Sequence, residues 1–179
     1  MIDKRHTCAI TGHRPQDLPW DYYKDFSDEN VFFEGVVRET LNMLVDKGYC
    51  KFITGGALGV DTVFAEAVVN RRREPPPIVL ELAIPCKSQS DSWDKRDRDR
   101  YNALLKEADE VNYISDHYTK YCMMKRNQYM VDHADCLVAF WTGKQFGGTY
   151  QTIQYAHKKG LPVVIIDIKD VAKNSKKRD

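Results

Sequence analysis

The chain has 179 residues, 42% of them hydrophobic and 30% charged, with a formal net charge of +1. That size and composition suit one soluble globular domain with a real core. The near-neutral charge removes any global electrostatic reason to expect DNA, RNA or an acidic membrane as partner, and no apolar stretch is long enough to span a bilayer.

The opening stretch MIDKRHTCAIT lacks the extended apolar core of a signal peptide. Cys8, Cys50, Cys86, Cys122 and Cys136 are scattered, odd in number and free of C-x-x-C spacing. They read as reduced thiols of a cytoplasmic protein. The five histidines are dispersed, and no Cys/His set has zinc-ligand spacing. Neither a metal nor a cofactor is expected.

CAIT (8–11) reads as a first strand, followed by a loop broken by Pro15 and Pro19. Val31, Phe32, Val36, Leu41, Leu44 and Val45 recur near helical period, which predicts a helix over Asp28 to Asp46 with Gly48 as its stop. KFIT (51–54) is a second strand. A helix follows from Val60 to Arg72, ended by Pro75, Pro76 and Pro77. IVLELAI (78–84) is a third strand, and Trp93 to Ala108 a charged helix. EVNYI (110–114), a helix from Tyr118 to His133, CLVAFW (136–141), a helix from Thr149 to Lys159 and PVVIID (162–167) complete the alternation.

Strands separated by helices imply βαβ crossovers and hence a parallel sheet covered on both faces. The almost unbroken apolar character of CLVAFW and PVVIID fits strands buried on both sides. The expected fold is a single α/β, Rossmann-like domain over residues 1–168. It has a mostly parallel sheet of about six strands with helices on both faces. A polar, frayed tail over 169–179 follows.

Two glycine stretches sit between a strand end and a helix start, in TGGALGVD (54–61) and FGGTYQT (146–152). Ligands of open parallel sheets bind beyond the carboxyl ends of the strands. A helix N-terminus there offers unpaired N–H groups to an anion. The spacing is neither G-x-G-x-x-G nor G-x-x-x-x-G-K-[ST], so NAD chemistry and ATP hydrolysis lose support. A third turn, TGHRP (11–15), follows the first strand. Its Gly12 and His13 would face the same end of the sheet, with Arg14 supplying charge and Thr11, Thr54 and Thr149 hydroxyls. Gln89 and Trp93 follow the third strand, where Trp93 could stack on a base or simply anchor its helix. Met123, Met124 and Met130 read as packing.

The set TGHRP, ITGGALGVD-x-x-x-AE, IP-x-x-x-Q-x-x-x-W, Y-x-x-LL-x-x-AD, KRNQYMVD-x-AD and GGT-x-x-T resembles the YpsA-like family of the SMF/DprA–LOG (SLOG) superfamily, from Thr11 to about Asp167. The resemblance implies a Rossmann-like fold and a site for a nucleotide or nucleotide-derived ligand, such as AMP or ADP-ribose. It implies a homodimer as well. In the LOG branch a phosphoribohydrolase splits the N-glycosidic bond of a cytokinin nucleotide. Its first glycine motif matches Gly55, Gly56 and Gly59 here, around Ala57. Its arginine matches Arg126, followed here by Asn127 in place of lysine. Its PGGxGTxxE motif survives only as Gly147, Gly148 and Thr149, and its glutamate falls on Thr152.

A carboxylate near the sugar stabilises the charge that develops when a ribosyl bond breaks, and threonine cannot supply it. The favoured expectation is therefore a nucleotide-binding protein. The alternative is a phosphoribohydrolase with Asp61, Glu66 and Arg126 as candidate catalytic residues. DNA binding as in the DprA branch ranks third, because the body of the domain has no basic run.

Overall fold

A computed structural model describes residues 6–177. Residues 1–5 and 178–179, which hold the start of the expected domain and the end of its tail, lie outside the described residues. Six strands, β1 (His6–Gly12), β2 (Tyr49–Thr54), β3 (Val79–Ile84), β4 (Glu110–Tyr113), β5 (Cys136–Trp141) and β6 (Val163–Asp167), form one sheet in the order β4-β3-β2-β1-β5-β6. Every neighbouring pair is parallel.

The helices are α1 (Asp28–Asp46), α2 (Val60–Arg71), α3 (Lys95–Glu107), α4 (Cys122–Asp132), α5 (Gly147–Lys158) and α6 (Val171–Ser175). Alternate strand residues serve opposite faces, as the period of two requires. Cys8, Ile10, Phe52, Leu80, Leu82, Val138 and Phe140 join the larger core with Phe33, Leu41 and Leu44 of α1, Val63 and Phe64 of α2, and Tyr101 and Leu104 of α3. Ala9, Ile53, Ala83, Leu137 and Ala139 meet Met130 and Val131 of α4 and Ile153 and Ala156 of α5. The inner strands are buried on both sides, which is why CLVAFW reads as a continuous apolar run. The pattern of PVVIID predicts the same for β6, but β6 is an edge strand with Ile165 exposed.

Local chemistry fixes the helix starts. Ser27 Oγ accepts from Asn30 N–H at 3.2 Å and caps α1, and Asp94 accepts from Asp97 N–H at 2.9 Å and caps α3. Several boundaries depart from the sequence pattern; β1 and β2 each begin two residues earlier, at His6 and Tyr49. Trp93 lies before the α3 cap rather than in the helix. α4 begins at Cys122 rather than 118, and α5 begins at Gly147 rather than 149. The expected frayed tail is also corrected in part: Val171 opens a short helix and is buried in the larger core, three residues after the fully buried Ile168. That three-residue spacing puts both apolar side chains on one side of the turn.

The chain runs outward from β1 to β4, then returns to place β5 on the other side of β1. The sheet order therefore reverses between β1 and β5. In an open α/β sheet the crevice beyond the strand ends at such a reversal is the place for a ligand.

Candidate functional site

A cavity of about 380 Å³ lies at that crevice, within the size range of small-molecule sites. The turn after β1 supplies Thr11, Gly12, His13 and Arg14, together with Gln16 and Asp17. The segment after β5 supplies Lys144, Phe146, Gly147, Gly148 and Thr149. α4 contributes Met123, Arg126, Asn127 and Met130, and the loop before α2 contributes Ala57 and Asp61.

The two glycine stretches have different fates. In the first, Asp61 folds back on its own loop: its Oδ2 accepts from Gly55 N–H at 3.1 Å and Ala57 N–H at 3.3 Å. Val60 N–H donates to the His13 carbonyl at 3.2 Å. The Asp61 carboxylate thus takes two N–H groups of the loop before α2, and the His13 carbonyl takes the first N–H of the helix. Gly59 takes φ +92°, and a Cβ there would sit 2.5 Å from the His13 carbonyl oxygen. Only glycine allows that backbone approach. Gly55 has no room for a Cβ either, because the Arg126 guanidinium occupies the space.

The second stretch is open. α5 begins at Gly147 with Phe146 as its N-cap, no side chain caps it, and its first turn carries no acidic residue. Its first N–H groups lack intrahelical partners at the cavity wall. Thr11 and Thr149 are buried, and neither hydroxyl has a hydrogen-bond partner among the described residues.

Arg126 is only 5% exposed. Its Nη1 donates to the Gly55 carbonyl and its Nε to Asn127 Oδ1 at 2.8 Å. Its Nη2 has only Met123 Sδ, at 3.9 Å. Arg14 Nη2 approaches the same sulfur at 3.7 Å. Neither arginine belongs to an ion pair among the described residues. Burial pushes the Arg126 guanidinium below its usual range; Asp61 opposes this and Arg14 adds to it. Burial pushes the Asp61 carboxyl up, against Arg126, the Ala57 N–H, Arg14 and the Gly55 N–H. Both guanidinium groups thus approach one thioether, and neither Nη2 has an oxygen partner among the described residues.

The family model YpsA, described as the YspA SLOG family, matches residues 8–171. The chain belongs to this family. The UPF0398 protein YpsA of Bacillus subtilis (strain 168) is 25% identical over 169 residues, covering 91% of this chain and 93% of its own. The SPbeta prophage-derived protein YoqJ of the same strain is 32% identical over 123 residues, 62% of this chain and 71% of its own. The UPF0398 protein SH1465 of Staphylococcus haemolyticus is 26% identical over 145 residues, 79% and 75% of the two chains. Among solved structures, DNA processing protein A from Helicobacter pylori, determined for its single-stranded DNA binding mode, superimposes with a TM-score of 0.59 at 18% identity. It covers 97% of this chain and 74% of that one. That likeness is one of fold.

Within this SLOG domain the cavity gathers Thr11, Gly12, His13, Arg14, Ala57, Asp61, Arg126, Asn127, Gly147, Gly148 and Thr149 from the residues singled out in the sequence. Thr54, Gly55, Gly56, Gly59, Gln89 and Trp93 do not line it. A side chain at Gly56 would meet Ile84 Cδ1 at 2.7 Å and Tyr101, on the far side of the loop. Gln89 Nε2 donates to the Gly56 carbonyl at 3.2 Å, and Trp93 packs edge-on to Tyr101 at 5.3 Å. Both brace the loop from behind. Glu66 lies elsewhere, held by Arg100 through contacts of 2.9 and 2.8 Å. Thr152 turns its hydroxyl to the Gly148 carbonyl at 2.8 Å.

Lys144, Phe146, Gln16 and Asp17 line the cavity without having been singled out; Met130 packs in the core as expected, and Met123 in addition meets both guanidinium groups. The signal for Lys144 and Phe146 was present: they occupy the turn T-G-K-Q-F between the strand CLVAFW and the glycine pair. Among the described residues no group of three or more His, Cys, Asp or Glu side chains is placed to hold a metal ion. No helix among them is long and apolar enough to cross a membrane.

Proposed function

We propose that the cavity binds a phosphate-bearing nucleotide, a nucleoside monophosphate or an ADP-ribose-like molecule. Its phosphate lies between Arg126, Arg14 and the first turn of α5. The observation that carries this reading is the pair of guanidinium groups that meet on Met123 Sδ, with no carboxylate at ion-pair distance among the described residues. Two like charges side by side repel, and a dianion between them removes that cost. The uncapped N–H groups of α5 and the free Thr149 hydroxyl add donors of the right kind. Nucleotide sites of this fold class at the sheet reversal lend general support.

The fold likeness to a DNA-binding protein supports a second ligand class, because single-stranded DNA carries the same phosphate. A cavity of about 380 Å³ is the size of a small-molecule site, which favours the small molecule.

Isothermal titration of the full chain with AMP, ADP-ribose, inorganic phosphate and an oligo-dT strand tests the proposal. AMP or ADP-ribose should bind saturably, and oligo-dT more weakly and with a steep salt dependence. Arg14 is exposed, so Arg14→Gln should fold normally. A charge-assisted hydrogen bond is worth about 1.5–3 kcal/mol, so the variant should lose roughly tenfold or more in affinity. Thr149→Val, which removes only a hydroxyl, should weaken binding less. Absence of AMP and ADP-ribose binding at millimolar concentration, or equal affinity in Arg14→Gln, would overturn the assignment. Tighter binding of oligo-dT than of either nucleotide would transfer the site to nucleic acid.

A further inference from the structure

We infer that Phe146 is the platform on which the cavity receives the planar base of its ligand. The inference rests on the nucleotide reading above and adds the group that would distinguish a nucleotide from a bare sugar phosphate.

Phe146 breaks two local rules at once. It is the N-cap of α5, a position that favours Ser, Thr, Asp or Asn because their oxygens satisfy the first N–H groups. It is also 68% exposed, although a phenyl ring in water forgoes the burial that ordinarily stabilises it. Local rules fail most often where a site is built. Here the failure leaves the helix start open for an anion and sets an aromatic face beside it.

The turn that carries the ring is braced on both sides. Trp141 Nε1 donates to the Lys144 carbonyl at 2.9 Å, closing the turn that precedes Phe146. Thr142 is fixed from the other side, its N–H donating to His13 Nε2 at 3.1 Å. The Lys144 ammonium lies 5.8 Å from the Phe146 ring centroid, and its ion pair with Asp17 spans 3.5 Å. Among the described residues Phe146 is the only Phe, Tyr or Trp that lines the cavity; the one other ring there, His13, is buried and has its Nε2 engaged by Thr142. Most of the other side chains on the walls are polar or charged, among them Thr11, Arg14, Arg126, Asn127 and Thr149, which suits phosphate and ribose. A phosphate on the N–H groups of Gly148 and Thr149 leaves the rest of a mononucleotide next to the residue just before them.

Stacking on an aromatic side chain accepts any base, because every base has a π face. The site should therefore take mononucleotides with little discrimination between their bases. The test titrates the full chain and its Phe146→Ala and Phe146→Tyr variants with AMP and with ribose 5-phosphate. Thermal melting checks that each variant folds. In Phe146→Ala the loss for AMP should exceed the loss for ribose 5-phosphate by roughly five- to hundredfold, and Phe146→Tyr should restore AMP affinity. Equal losses for the two ligands would overturn the inference, since Phe146 would then act only through the loop. Unchanged affinity for both would overturn it as well. If neither ligand binds the unaltered chain, the phosphate reading itself fails and the platform with it, an outcome distinct from the other two.

Discussion

Asp61 and Arg126 are opposite charges in one buried layer, yet each is held chiefly by backbone: Asp61 by two N–H groups, Arg126 by the Gly55 carbonyl. That arrangement keeps Arg126 rigid and leaves its outer Nη2 unclaimed by oxygen. His13 joins the same layer through Nε2, which accepts from the Thr142 N–H at 3.1 Å and lies 2.9 Å from the Thr142 hydroxyl. An imidazole nitrogen that accepts from a backbone N–H must be unprotonated. Burial lowers the His13 pKa below its ordinary 6.5; Asp17 opposes this and Lys144 reinforces it. The unfolded chain therefore takes up this proton first as pH falls. The stability contributed by neutral His13 is complete above about pH 6.5 and is lost as pH falls through the folded-state value. Thermal melts from pH 8 to pH 5 should show this loss in the unaltered chain. In His13→Gln, which keeps an acceptor but cannot titrate, that part of the decline should vanish. Parallel pH profiles for the two chains would exclude His13 as its source.

Two helices begin at glycine-rich turns, and the turns differ because of one side chain. In α2 the residue after the first turn position is Asp61, long enough to reach back to Gly55 and Ala57. In α5 the corresponding stretch is Gly147, Gly148 and Thr149, with no carboxylate to turn inward. The sequence shows both as strand–glycine–helix, and the alternation of strands and helices was fully legible there. Which turn stays open was not, because it depends on the direction a single aspartate takes. Placing the start of α5 at 149 also hid the point that Gly147 and Gly148 belong to its first turn. Not every glycine is required by its surroundings. Gly35 lies inside α1 and is buried, yet a Cβ there would meet nothing within 4 Å. Alanine is favoured over glycine in a helix interior by roughly 0.5–1 kcal/mol. Gly35→Ala should raise the melting temperature, by about 2–4 °C per kcal/mol for a chain of this size. Gly12→Ala should lower it, because the new methyl would stand 2.5 Å from the Val60 side chain. Differential scanning calorimetry of the two variants decides both signs.

At the scale of the whole molecule, the strand order decides what can be catalysed. Alternating elements revealed six parallel strands, but not that β5 returns beside β1. That return gathers Arg14, Arg126 and the α5 start at one crevice. It leaves Gln89 and Trp93, which follow β3 two strands away from β1, behind the first glycine loop. It also sorts the carboxylates. Glu66 points from α2 to Arg100, outside the cavity. Asp17 lines the cavity but pairs with Lys144 at 3.5 Å. Asp61 lines it with Oδ2 engaged by two N–H groups of its own loop. At 152, where the LOG glutamate falls, a threonine spends its hydroxyl on the Gly148 carbonyl. Cleavage of a ribosyl bond needs a carboxylate free to stabilise the sugar cation or to place water. The absence of a dedicated one should slow the reaction by orders of magnitude, since each ~1.4 kcal/mol of lost stabilisation is tenfold in rate. Incubation with AMP, followed by chromatography, should therefore return AMP with little or no free adenine even where titration shows that the nucleotide binds. Rapid adenine release would contradict this and turn attention to Asp61, the most buried of the cavity's acids. Asp61→Asn keeps an oxygen for the Gly55 and Ala57 N–H groups while removing the charge. Loss of that release in Asp61→Asn, with AMP affinity retained, would then name Asp61 as the reacting carboxylate.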